Sequence, residues 1–240
     1  MAGRDKSRTL NKKEFWDRTW KEDPDSVRSI DSYRFALINQ PLQGSKILEV
    51  GCGDLRYSRI PDYSSAPESE GCYTGVDIST IALKRAKEKY GGVKRVHLVQ
   101  ADVTNPLPFQ DDFFDEVLSF ETITLLGRDF YRALKEMTRV TKHGVTFDVT
   151  HRDLARTFAS HVSYTDLQYV TLLHEANYSG VAFTEENIDH LLLALGLKPE
   201  KIKTFTIFNM VNWEALTPEL VEYVPDGDVK YRIYVRANKS

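Results

Sequence analysis

The chain has 240 residues with 41% hydrophobic, 28% charged and 11% aromatic side chains, a balance that excludes a disordered chain and fits one large core. Thirty-two Lys+Arg against 35 Asp+Glu leave a net charge of −3, which argues against a dedicated nucleic-acid binder, and two cysteines exclude a disulfide scaffold or a Cys-based zinc site. No apolar run approaches the roughly 20 residues that span a bilayer, and the basic start lacks an apolar segment behind it, so a cytoplasmic setting is expected.

In chain order, Phe15, Trp16 and Trp20, followed by Ile30, Tyr33, Phe35, Leu37 and Ile38, suit helices lying over a sheet; the first three read as core, with cover for a flat or apolar acceptor as the alternative. The basic residues Arg4, Lys6, Arg8, Lys12 and Lys13 before them read as a solvated tail, with a targeting or polyanion-contact arm as the alternative. From Lys46 onward, apolar runs at 46–50, 72–76, 95–99, 115–120 and 144–149 alternate with helix-period segments, the pattern of βαβ units and a parallel sheet.

Residues 61–71 are rich in Pro and Ser and read as a loop. Ser79 and Thr80 offer N-caps to a helix through Tyr90, with Ile81, Leu83 and Ala86 expected to face the sheet. Phe130, Ala133, Leu134, Met137 and Val140 predict a second amphipathic helix, with a glycine stop at Gly144. The rhythm then breaks, and residues 151–180, with His151, His161, Tyr164, Tyr169, His174 and Tyr178, read as a lid. Thr184 opens a helix with Ile188, Leu191, Leu192 and Leu195 on one face and a stop at Gly196. Two closing strands follow near 201–208 and 230–236, joined by a loop with Pro218, Pro225 and Gly227.

The chemistry concentrates at strand ends. Ile47-Leu48-Glu49-Val50-Gly51-Cys52-Gly53-Asp54 runs a buried strand into a glycine pair, where the missing Cβ lets the backbone turn sharply and approach a ligand. The second strand ends at Asp77, a carboxylate able to accept two hydrogen bonds from a ribose diol and to repel a 2′-phosphate. The third delivers Asp102, placed to accept from an adenine amino group. These positions jointly favour an adenosine-type ligand. A nicotinamide or flavin dinucleotide is the competing reading, but it prefers Gly or Ala where this chain has Arg56, and it leaves Asp102 without a role.

Leu48–Gly53, Val76-Asp77-Ile78-Ser79, Ala101-Asp102 and Leu107-Pro108-Phe109 through Phe114-Asp115 resemble the motif series of class I S-adenosylmethionine-dependent methyltransferases, in the branch that includes ubiquinone and menaquinone biosynthesis. The resemblance extends through residues 139–144 and 183–186. It implies a Rossmann-like, seven-stranded, mostly parallel sheet flanked by helices, with an N-terminal helical cap and an inserted lid segment. The expected organisation is one methyltransferase domain over 1–240: a cap at 1–45, a cofactor-binding half at 46–150, a lid and acceptor segment at 151–180, and a C-terminal helix with closing strands at 181–240.

The resemblance also implies S-adenosyl-L-methionine as cofactor. Gly51 and Gly53 would lie under the methionine moiety with Cys52 between them, Glu49 would hold the loop and the amino group, Asp77 with Ile78 the ribose, and Asp102 with Val103 the adenine. Phe120 and Glu121 fall where the family contacts the methionyl end and the acceptor. One departure is Leu55, where the family often has a third small residue.

Methyl transfer from a sulfonium needs alignment more than acid–base help. Where a base is needed, His151 lies past the exit of the fifth strand, on the side where open α/β sheets bind ligands, whereas His143 lies at the entrance. His151 is the preferred catalytic candidate, with a capping histidine as its alternative, and Glu121 is the second. His161, Tyr164, Asp166 and His174 lack the tight spacing of a metal site, so no metal is expected. The fourth-strand tip lacks the Asn/Asp-Pro-Pro-aromatic sequence used on planar amino groups, which together with the acidic charge points to a small-molecule acceptor. The alternatives are a methyltransferase acting on RNA or protein and a relative that binds the cofactor without catalysis.

Overall fold

In the computed structural model, residues 13–22, 46–55, 72–153, 162–164, 170–174, 178–206 and 230–239 are described. The expected loop at 61–71, Arg56, the aromatics after residue 22, the basic arm through Lys12, His161, Asp166, Tyr169 and the loop carrying Pro218, Pro225 and Gly227 lie outside them. The described strands are β1 (Lys46–Val50), β2 (Cys72–Asp77), β3 (Val96–Gln100), β4 (Phe114–Ser119), β5 (Thr141–His151), β6 (Val162–Tyr164), β7 (Val170–His174), β8 (Tyr178–Gly180), β9 (Ala182–Phe183), β10 (Leu197–Thr206) and β11 (Lys230–Lys239). The helices are α1 (Lys13–Glu22), α2 (Thr80–Tyr90), α3 (Phe130–Val140) and α4 (Glu185–Ala194), with a 3₁₀ segment at Ile123–Asp129.

The main sheet runs β10-β11-β5-β4-β1-β2-β3, with β9 added beside β5. β1 to β5 and β9 pair in parallel, and only β11 and β10 run antiparallel. This is the expected Rossmann-like, mostly parallel sheet, with one more short strand than the seven read from sequence.

Both faces are covered, so the central strands are nearly continuous apolar runs. Alternation along β1 splits the core in two: Leu48 and Val50 join Val76, Val117 and Val145 on one face, while Ile47 joins Tyr73 and Leu118 on the other. The first layer is closed by Ala133, Leu134, Met137 and Val140 of α3 and by Ile188, Leu191 and Leu192 of α4, the second by Leu83 and Ala86 of α2.

Two expectations are corrected. Leu83 and Ala86 of α2 face the sheet as expected, but the third position is Ala82, which is buried, and Ile81 is only partly covered. Gly144 does not stop α3. That helix ends at Val140 and β5 begins at once, with Gly144 opposite Asn238 of β11. A Cβ at Gly144 would lie 2.6 Å from Ala237 O, so the glycine lets two strands approach. The helix from Thr184 is as read, with a capping box in which Thr184 and Asn187 satisfy each other's backbone N–H.

The parallel strands aim their carboxyl ends at one edge, where a Rossmann-like sheet binds its ligand. β1 leaves through a loop in which Gly51 (φ +68°), Gly53 (φ +53°) and Leu55 (φ 61°) are left-handed. Leu55 is fully buried, and a Cβ at Gly75 would come within 2.9 Å of it, so Gly75 makes the room that a small residue at 55 would otherwise supply. Removing the Leu55 side chain costs about 3–5 kcal/mol, and a left-handed residue with a Cβ is strained by about 1–2 kcal/mol. Leu55→Gly is therefore expected to be more stable than Leu55→Ala, the reverse of the usual order in a core, with both below the parent in urea unfolding. Equal midpoints for the two variants would show that the backbone at 55 stores no strain.

β6, β7 and β8 form a separate antiparallel sheet within the 151–180 segment. Just past it, the Val181 N–H donates to Thr124 O at 2.8 Å, fastening the exit of the segment to the 3₁₀ turn after β4. Among the described residues, no helix is long and apolar enough to cross a membrane.

Candidate cofactor and acceptor site

The carboxyl edge holds a cavity of about 750 Å³ of empty space, part of it open to solvent. The predicted residues Gly51, Cys52, Gly53, Asp77, Ile78, Asp102, Val103, Phe120 and Glu121 all line it. Sequence order around the sheet becomes spatial order. The tips of β3, β2, β1 and β4 present Asp102, Asp77, the glycine loop and Glu121 in a row, about 14 Å across at roughly 4.8 Å per strand.

The loop after β1 is bonded inward. The Gly51 and Cys52 amides both donate to Val76 O, at 2.8 and 3.0 Å, and the Leu55 amide donates to Cys52 O at 2.8 Å. The Gly53 amide donates to Asp77 Oδ2 at 2.8 Å, while the Ser79 amide reaches Asp77 Oδ1, also at 2.8 Å. A pyrophosphate site needs such amides turned toward the ligand. With four of them engaged inside the protein, the loop suits a ligand without phosphates.

Asp77 is thus fixed by one amide on each oxygen. Burial pushes its pKa up to about 6, against the hydrogen bonds from the Ser79, Gly53 and Ile78 amides that lower it. Burial also raises the Cys52 thiol well above its ordinary value, and the nearby Asp77 and Glu49 charges add to this, so Cys52 contributes a neutral thiol to the wall. At Asp102 a turn back on itself fixes the carboxylate: Oδ1 accepts from the Thr104 amide at 2.9 Å and from its hydroxyl at 2.7 Å.

Two predicted residues are not on the lining. Glu49 is buried beneath the loop, where Oε2 accepts the Tyr73 hydroxyl at 2.5 Å. His151 is also buried: Nδ1 accepts the Asp153 amide at 3.0 Å, so Nε2 carries the proton and faces Glu185 Oε2 at 3.2 Å. The other Glu185 oxygen accepts the Thr204 hydroxyl at 2.8 Å. The geometry makes His151 a tie between β5, α4 and β10 and not a group at the cavity surface. Among the described residues, no three His, Cys, Asp or Glu side chains are grouped to hold a metal ion.

Further residues join the site, of which Trp16 and Trp20 had core and acceptor cover as their two readings, while Asp17, Thr122, Leu125 and Leu126 had no role assigned from sequence. Trp16 and Trp20, one helical turn apart on α1, line the cavity, and Trp20 also packs where a Gly53 Cβ would be, 2.7 Å from its ring. Between them Asp17 ties α1 to the start of α2, accepting from Ser79 Oγ at 2.7 Å, Thr80 Oγ1 at 3.0 Å and the Ile81 amide at 3.1 Å. Burial works to raise the Asp17 pKa, but hydrogen bonds from Lys13, Ser79, Ile81 and Thr80 outweigh it and hold the carboxyl well below its usual range. A helix N-terminus attracts an anion, but nothing in the sequence says that the anion comes from 62 residues upstream. Thr122, Leu125 and Leu126 complete the wall beside Glu121.

Residues 48–149 match the family described as a methyltransferase domain. The demethylmenaquinone methyltransferase of Staphylococcus haemolyticus (strain JCSC1435) is 41% identical over 104 residues, 42% of this chain and 41% of that protein. The enzyme of the same name from Staphylococcus aureus (strain MRSA252) is 40% identical over 105 residues, with the same coverage. The chain therefore aligns with about two-fifths of the length of these curated relatives.

Among solved structures, an S-adenosylmethionine-dependent methyltransferase from Mesorhizobium loti superposes with a TM-score of 0.62 at 16% identity, covering 88% of this chain and 100% of that one. A putative one from Listeria monocytogenes gives 0.65 at 15% identity, covering 88% and 97%. These likenesses carry the fold, and the matched segment carries all four strand tips. Residues 48–149 thus match a methyltransferase domain, on a fold shared with solved S-adenosylmethionine-dependent methyltransferases.

Proposed function

We infer that this chain transfers the methyl group of S-adenosylmethionine to a small, flat, largely apolar acceptor, of the quinol type named by the demethylmenaquinone methyltransferases it resembles. The observation that carries the reading is the row of strand tips. Asp102 would hold the adenine, Asp77 the ribose, the inward-bonded glycine loop would lie under the sulfur, and Glu121 would meet the methionyl end.

When bound, the cofactor supplies a methyl on an already activated sulfonium. The protein's work is alignment, which contributes on the order of 7–11 kcal/mol when the geometry is near attack. Trp16, Trp20, Phe120, Leu125 and Leu126 form the apolar part of the wall and suit a ring while excluding water. The net charge of −3 and the acidic groups at the site disfavour a phosphate polymer as acceptor.

Incubating the chain with methyl-labelled S-adenosylmethionine and separate pools of small quinols and phenols, RNA and protein tests this. Label is expected in a small molecule that gains one methylene. Label in RNA or protein alone, or in none of the pools, contradicts the reading.

A further inference from the structure

Glu121 has a left-handed backbone (φ 54°), which a residue with a Cβ adopts only at a cost. Two groups hold it there. Its amide donates to Asp148 Oδ1 at 2.6 Å, and its Oε1 accepts from Arg232 Nη2 at 3.1 Å. Arg232 Nη1 lies 3.6 Å from Asp148 Oδ2, which joins all three residues. In the β5–β11 pairing Thr150 faces Arg232 and Asp148 faces Tyr234, so Asp148 and Arg232 are diagonal neighbours on one face. Only Glu121 of the three lines the cavity; Asp148 is 1% exposed and Arg232 12%.

Glu121 stands at the end of the row of strand tips opposite Asp102. We propose that Arg232 and Asp148 are positioning residues that clamp Glu121 so that its carboxylate receives the ammonium of the cofactor's methionyl end. Asp148 fixes the backbone turn and Arg232 fixes the side chain, so the strain at Glu121 is held by the sheet and not released into the cavity. The proposal rests on the cofactor reading above.

Calorimetry with two neutral-sulfur probes separates positioning from general damage. S-Adenosylhomocysteine carries the amino-acid end, whereas methylthioadenosine shares only the adenosine. Glu121→Gln and Arg232→Met are each expected to weaken S-adenosylhomocysteine by about tenfold, the loss of one charge-assisted contact, and to leave methylthioadenosine within about twofold. Arg232→Lys is expected to recover most of the loss, and Glu121→Gln with Arg232→Met to bind no worse than Glu121→Gln alone, because the two act as one unit.

If Arg232→Met does not fold, Asp148→Asn, which keeps the acceptor for the Glu121 amide but removes the charge beside Arg232, is expected to show the same contrast between probes. Equal losses for both probes, additive effects in the double variant, or unchanged S-adenosylhomocysteine binding in both Arg232→Met and Asp148→Asn would overturn the proposal. Binding of neither probe by the intact chain would overturn the cofactor reading with it; binding that ignores these variants overturns the clamp alone.

Discussion

Replacing Asp77 with alanine is expected to weaken S-adenosylmethionine binding at least a hundredfold, because two charge-assisted hydrogen bonds to a ribose diol are worth roughly 1.5–3 kcal/mol each. The same substitution removes the acceptor that ties the Gly53 and Ser79 amides, so the glycine loop and the start of α2 lose their common anchor. A pH dependence follows from burial of this carboxylate, which raises its pKa to about 6. In the proposed site the ionised form would accept from the diol, with protons in competition. Affinity is therefore expected to be flat above about pH 7 and to fall toward tenfold per unit below about pH 6. Asp77→Asn keeps the shape and should remove that slope. Calorimetry between pH 5 and 8 reads both effects, and a slope that persists in Asp77→Asn would assign the titration to another group.

The second large effect belongs to Gly51. A Cβ there would lie 1.9 Å from Thr122 Oγ1 and 2.7 Å from its Cβ, so no rotation of Thr122 makes room, and the backbone is left-handed at φ +68°. Thr122 Oγ1 donates to Phe120 O at 3.1 Å, so pushing Thr122 away disturbs the tip of β4 and Glu121 with it. Gly51→Ala is expected to cost about 3 kcal/mol, from a close contact together with left-handed strain. That corresponds to a fall of about 6–12 °C in melting temperature for a chain of this size. Loss of S-adenosylhomocysteine binding should accompany it. Gly92→Ala is the control, since nothing lies within 4 Å of a Cβ there. A Gly51→Ala protein that melts and binds like the parent would mean that the loop is not held as described.

The division between what was legible in the sequence and what was not follows sequence distance. A glycine pair, an aspartate or a phenylalanine at the end of an apolar run is a local signal, so the cavity residues at the tips of β1 to β4 could be named before any fold was seen. The Ser79 cap and the Thr184 capping box are local in the same way. Asp17, Asp148 and Arg232 act across 62, 27 and 111 residues, and nothing in their neighbourhoods distinguishes them from surface charges. Only the folded sheet brings them to the site.

His151 shows the converse error. Its place at the exit of β5 was read correctly, but whether an imidazole there meets the cavity depends on Asp153 and Glu185, which occupy both of its nitrogens. Gly144 was misjudged because a glycine after a helical stretch normally signals a stop, whereas here close approach to the Ala237 carbonyl requires it. Trp16 and Trp20 read as core or as cover for an acceptor, and the fold joins the two readings, since Trp20 is buried and both border the cavity where α1 packs over the glycine loop.

A crystal structure with S-adenosylhomocysteine tests the central claim most directly. The expected density runs along the strand tips with adenine at Asp102, ribose hydroxyls on Asp77, sulfur over Gly51–Gly53 and the amino-acid end at Glu121. A cavity left empty at saturating ligand, or a nucleoside lying with its ribose away from Asp77, would contradict it.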